Sequence, residues 1–167
     1  MTISMYQASV PMFDKMLGNL ATILTKAASW AETRKIEPVV LLNARLAPDM
    51  FPLTRQVQIA CDFVKGTCSR LAGIEPPKHE DNEASFAELQ ARIAKVRQFA
   101  ATFKAAQIDG SEERKIQFKG GTREFEFTGL SYLTGFAIPN FFFHYTTAYD
   151  ILRHNGVELT KGDFMGI

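Results

Sequence analysis

The chain has 167 residues, 46% hydrophobic and 22% charged, and its nineteen basic residues nearly cancel eighteen acidic ones to leave a net charge of +1. One domain over residues 1–167 is the expectation from that length, with a core large enough to need no staples. So balanced a charge excludes the broad electrostatic attraction by which proteins hold nucleic acid or anionic lipid, and neither is expected as a partner.

No apolar run approaches the roughly 20 residues that span a bilayer. The opening stretch MTISMYQASVPMFDKM has no basic start followed by an apolar block, so no secretory signal is expected and a cytoplasmic setting is the simplest reading.

In chain order, Tyr6, Val10, Phe13, Leu17, Leu20 and Leu24 recur at helical spacing, with Pro11 either in the first turn or at a kink and Trp30 near the exit. A short apolar piece, PVVLLNARL, leads to a break at APDMFP. A second long helix runs from about Leu53 to Leu71, its apolar face made by Val57, Cys61, Val64, Cys68 and Leu71, and Gly73 stops it. Cys61 and Cys68 are the only cysteines. Seven residues apart on one helix, they lie roughly 10 Å from each other, beyond the ~7 Å a disulfide tolerates. They are expected to be buried, reduced and slow to react.

After the charged connection GIEPPKHEDNEA, Ser85 and Glu88 fit a capping box. The third helix then buries Phe86, Leu89, Ile93, Val96, Phe99 and Phe103. In RKIQFKGGTREFEFTG, Ile116 and Phe118 alternate with polar residues, as do Phe125 and Phe127, around Gly120-Gly121, which predicts a β-hairpin at about 115–127 packed by its aromatic face on the helices. The KGGT stretch lacks phosphate-loop spacing. A last helix is expected from Pro139 to Gly156, apolar nearly all round and therefore central.

The segments MYQASVPMFDKMLGNLATILTKA and IPNFFFHYTTAYDILRHNGVELTKGDF resemble the bacterial family known as domain of unknown function 1993, over nearly the whole chain and most specifically at PNFFFH…AYDILRHNGV. That family is grouped with the DinB/YfiT-like bundles. The resemblance implies an all-α protein, a DinB-like up-and-down four-helix bundle with a small β-hairpin before its last helix. Many such proteins are dimers, so a homodimer is expected. Many carry a divalent metal on three histidines, and some are thiol-dependent transferases or hydrolases.

The DinB-like pattern asks for one histidine on the second helix and a His-x-x-x-His pair on the last. His144 matches the first of that pair, but Ala148 stands four residues on and cannot ligate. The chain's three histidines are His79, His144 and His154, so the second helix has none, only Gln56 and Gln58 as weak amide substitutes. His144 and His154 are separated by roughly 15 Å of helix rise and 80° of rotation, too far to share one ion. In an up-and-down arrangement His79 would lie at the His154 end, away from His144. No metal or other cofactor is expected, and His144 is the one weak candidate ligand.

His154 is expected in the last turn with Asp150 one turn back. His144 is expected to be largely buried between the second and last helices, as a hydrogen-bonded core imidazole or as a polar group lining a pocket. Asn140, Tyr145, Tyr149 and Gln56 or Gln58 would be its polar company around a small apolar ligand. Two functions follow: a non-catalytic small-molecule-binding or interaction bundle with a degenerate metal site, or a DinB-like metal- or thiol-dependent transferase or hydrolase using His144 as base. No serine or cysteine is visibly paired with that histidine as nucleophile.

Overall fold

In a computed structural model that describes residues 3–167, the chain is mostly helical with one two-stranded antiparallel hairpin. Four long helices, α1 (Val10–Thr33), α3 (Leu53–Ala72), α4 (Phe86–Ala101) and α7 (Ile138–His154), carry most of the core. Short helices α2 (Pro38–Leu42), α5 (Ala105–Ile108), α6 (Gly129–Tyr132) and α8 (Lys161–Met165) join or brace them.

Each long helix is built from its apolar spacing. In α1, Phe13, Leu17, Leu20 and Leu24 are fully buried, and Pro11 falls in the first turn rather than at a kink. Tyr6 lies before the helix, its backbone N–H donating to Asp109 Oδ1 at 2.8 Å. In α3, Val57, Cys61, Val64, Cys68 and Leu71 are buried, and Gly73 closes the helix in the left-handed region at φ 74°, where a side chain would be strained. At the start of α4, Ser85 Oγ accepts from the Glu88 N–H at 3.2 Å, while the Glu88 carboxylate reaches past Ser85 to the Ala84 N–H at 2.7 Å.

The helices do not alternate in direction as expected. Gln90 reaches Ala21 and Arg97 reaches Asp14, so α4 runs against α1. Phe63 packs on Phe136 and Gln56 bonds His144, so α7 runs against α3. Phe13 meets Phe141, while Asn19 and Tyr145 share the Phe164 carbonyl, so α7 runs with α1. Glu83 lies on Gln58 and Arg92 on Asp62, so α4 runs with α3. The order is therefore up, down, down, up. The 73–85 connection makes this possible, because thirteen extended residues reach ~43 Å and α3 is only ~30 Å long. It returns along α3 and carries Asp81 to Arg55. His79 accordingly sits beside the middle of α3, within the fields of Lys65 and Asp62, and not at the His154 end.

Strands β1 (Lys115–Gly120) and β2 (Arg123–Thr128) pair Ile116 with Phe127 and Phe118 with Phe125. The loop is Gly121-Thr122, one residue later than the Gly120-Gly121 pair, with φ 61° at Gly121 as a tight primed turn requires. The aromatic face docks as expected: Phe118, Phe125 and Phe127 all contact Phe136, and Phe118 meets Tyr132 edge-on at 5.8 Å. Arg70 covers the outer side of Phe118 at 4.3 Å and donates to the Tyr132 hydroxyl at 3.1 Å.

The last helix does not begin at Pro139. Helical backbone is continuous from Gly129, through α6 and a π turn at Leu133–Ala137, into α7. Proline has no N–H to give the carbonyl one turn earlier. The wider turn absorbs that defect, and the Ile138 N–H bonds the Leu133 carbonyl five residues back. Nor is α7 buried all round, since Phe143 is 57% exposed.

Candidate functional site

The polar pair at the α3–α7 seam follows from helix register. Gln56 and Phe63 are seven residues apart, two turns along one face of α3, and His144 of α7 lands between them. Gln56 Nε2 donates to the Phe51 carbonyl at 3.0 Å, which turns its Oε1 to His144 Nδ1 at 2.6 Å. An amide oxygen only accepts, so Nδ1 carries the ring proton and Nε2 keeps a free lone pair. Phe63 stacks on the imidazole at 6.0 Å and Phe143 meets it edge-on at 5.2 Å.

His144 is half-buried rather than largely buried. Burial, and then the positive charge of Arg55, push its pKa down to about 4, so the ring is neutral at pH 7. Asn140 lies one turn earlier on the same side of α7, half-buried, its amide donating to the Phe136 carbonyl at 2.7 Å. Gln56 thus bonds His144 and Asn140 stands on the same side of α7, whereas the other expected neighbours turn elsewhere. Tyr145 is fully buried and turned to α8, its hydroxyl donating to the Phe164 carbonyl at 2.8 Å and its pKa raised by burial. Tyr149 packs edge-on against Phe164 at 5.7 Å. Gln58 points to the opposite flank of α3, bonding Glu83 at 2.8 Å.

The donor set does not suit the three-histidine metal of DinB-like proteins. It offers one imidazole nitrogen, one amide whose oxygen and nitrogen are both engaged, and a second amide tied to its own helix. Among the described residues no group of three or more His, Cys, Asp or Glu side chains is placed to hold a metal ion. His154 lies exposed in the last turn of α7. The two thiols are buried and free, each pushed up to about 12 by that burial, so neither is a ready nucleophile.

Two features of this region escaped sequence reasoning. Arg55, whose charge bears on His144, sits next to Gln56 in sequence but carries no motif. Arg92 is 4% exposed and bonds Asp62, Asp81 and Glu83 at 2.8 to 3.0 Å, with Lys65 also on Asp62 at 3.0 Å. A signal existed for it: Arg92 falls three residues after Leu89 and four before Val96, inside the apolar stripe of α4.

Mostly helical, with a docked hairpin and one imidazole at the seam of two helices, the chain is of the DinB-like class of helical proteins. A family model described as domain of unknown function DUF1993 matches residues 5–165, and the chain belongs to that family. It is similar to the crystal structure of a DinB family member protein from Shewanella denitrificans, at 45% identity and a TM-score of 0.88, over 97% of this chain and 92% of that one. No curated protein matches. No helix among the described residues is long and apolar enough to cross a membrane.

Proposed function

We propose that the chain is a single-domain, DinB-like four-helix bundle that acts without catalysis, binding a small apolar molecule at the Gln56–His144 seam, and that it works as a cytoplasmic homodimer. One observation carries the binding reading. The Gln56 oxygen holds the proton on Nδ1, leaving the Nε2 lone pair free between the Phe63 and Phe143 rings. A flat apolar body carrying one N–H or O–H donor satisfies both the rings and the lone pair. The homodimer rests on the family resemblance and on Phe51 and Phe143, which are 54% and 57% exposed. A light-scattering mass that stays monomeric at all concentrations refutes it.

Indole is a suitable probe. Followed by the His144 ring resonances, it should give a saturable shift that is lost when Gln56→Leu frees the tautomer. A shift that never saturates removes the binding reading. A transferase or hydrolase using His144 is the second reading, favoured by the neutral, accessible imidazole. A pKa near 4 makes it a weak base at pH 7, however. Near-stoichiometric zinc, nickel or iron in the purified protein, lost in His144→Ala, would put this second reading first.

A further inference from the structure

On the other flank of α3, the returning 73–85 connection and α4 enclose an open groove of about 430 Å³ whose lining includes Lys78, His79, Arg92 and Lys95. Two polar atoms here are buried without a partner, His79 Nδ1 and Arg92 Nε. Buried donors are nearly always met, so an unmet guanidinium N–H on a residue 4% exposed points to something that meets it. The Cys61 thiol lies within hydrogen-bond reach of the same guanidinium, but sulfur is a weak acceptor.

The acids of the groove are largely spoken for. Glu83 accepts from Arg92 at 3.0 Å and from Gln58 at 2.8 Å. Glu88 is held by the Ala84 N–H and the Ser85 hydroxyl. Among the described residues the Glu80 carboxylate accepts only from Asn82, at 3.3 Å, while its backbone carbonyl accepts from Arg92 at 3.0 Å. Lys78 and Lys95, like Glu80 and Glu88, have no ion-pair partner among the described residues, and neither lysine donates a side-chain hydrogen bond there. The His79 ring is held neutral, first by burial and then by Lys65, Lys95 and Arg92, which together outweigh the opposing charge of Asp62. Beside Glu80, what the groove leaves uncommitted is therefore Lys78, Lys95 and the His79 ring, the last in a locally positive field.

We propose that this groove binds a small oxyanion, a phosphate or carboxylate group, through Lys78, Lys95 and the His79 ring, with the fixed Arg92 guanidinium at its floor. The carboxylates of Asp62, Asp81 and Glu83 hold that floor in place, and the anion supplies the acceptor the free donors lack. Negative charge beside His79 favours its imidazolium, so binding takes up a proton. The site is independent of the His144 seam.

The test is carried out on the full chain by following the ring resonances of all three histidines. Sodium phosphate and, separately, sodium acetate are added while sodium chloride holds ionic strength constant. A saturable shift of His79 alone is expected, with its pKa raised in the presence of the anion. The Lys78→Ala/Lys95→Ala double variant, at two exposed positions, should keep its circular dichroism and bind at least about tenfold more weakly. Tighter phosphate than acetate assigns the group as phosphate, and equal or tighter acetate assigns it as carboxylate. A shift no larger than chloride produces, or binding undiminished in the double variant, overturns the proposal.

Discussion

The two flanks of α3 solve the problem of a buried polar group in opposite ways. Toward α4, Arg92 stays charged because Asp62, Asp81 and Glu83 surround it and Arg55 and Lys65 balance those carboxylates. Toward α7, His144 has aromatic rings and one amide for company, and it gives up its charge. Burial of a charge demands counter-charge and hydrogen bonding, whereas a group that titrates near neutrality can simply lose its proton. The first solution fixes architecture, since it ties the returning connection to two helices. The second leaves a lone pair uncommitted at the seam.

The comparison breaks first at Arg92. Arg92→Ala leaves three carboxylates without their shared cation and should cost about 3–5 kcal/mol in urea unfolding. A loss under 1 kcal/mol would show that the network is not the tie it resembles. His144→Ala should cost less, about 1–3 kcal/mol, through the lost Gln56 bond and lost ring packing. The same ring sets a pH dependence. Its folded pKa of about 4 lies below the ordinary 6.5, so the unfolded chain binds the proton more tightly. That contribution is fully present above pH 6.5 and is lost as pH falls toward 4, amounting to ~1–2 kcal/mol once the ring's contact with solvent is allowed for. Unfolding midpoints that differ between wild type and His144→Ala by the same amount at pH 7 and pH 4.5 would contradict it. Smallest of all, Phe143→Ser should change stability by no more than about 0.5 kcal/mol, because the ring is 57% exposed, while weakening self-association in light scattering.

Much of this was legible in the residues themselves. The apolar stripes of α1, α3 and α4, the hairpin with its aromatic face and the burial of both cysteines all follow from local periodicity, which depends on nothing outside each segment. The contact of His144 with Gln56 was readable as well, since only a few polar side chains can face an imidazole at that seam. Position in the chain could not reveal that α4 runs alongside α3. That depends on the 73–85 connection folding back to bring Asp81 to Arg55 and Glu83 to Gln58, a choice made by pairing charges far apart in sequence. It could not reveal that Tyr145 turns to α8 either, because the carbonyl that takes its hydroxyl belongs to Phe164, nineteen residues on. Sequence by itself determined which faces are apolar, since hydrophobicity is a property of the side chains and their spacing. Only the tertiary structure decided which polar groups meet, because hydrogen bonds and ion pairs need partners that the fold alone brings together.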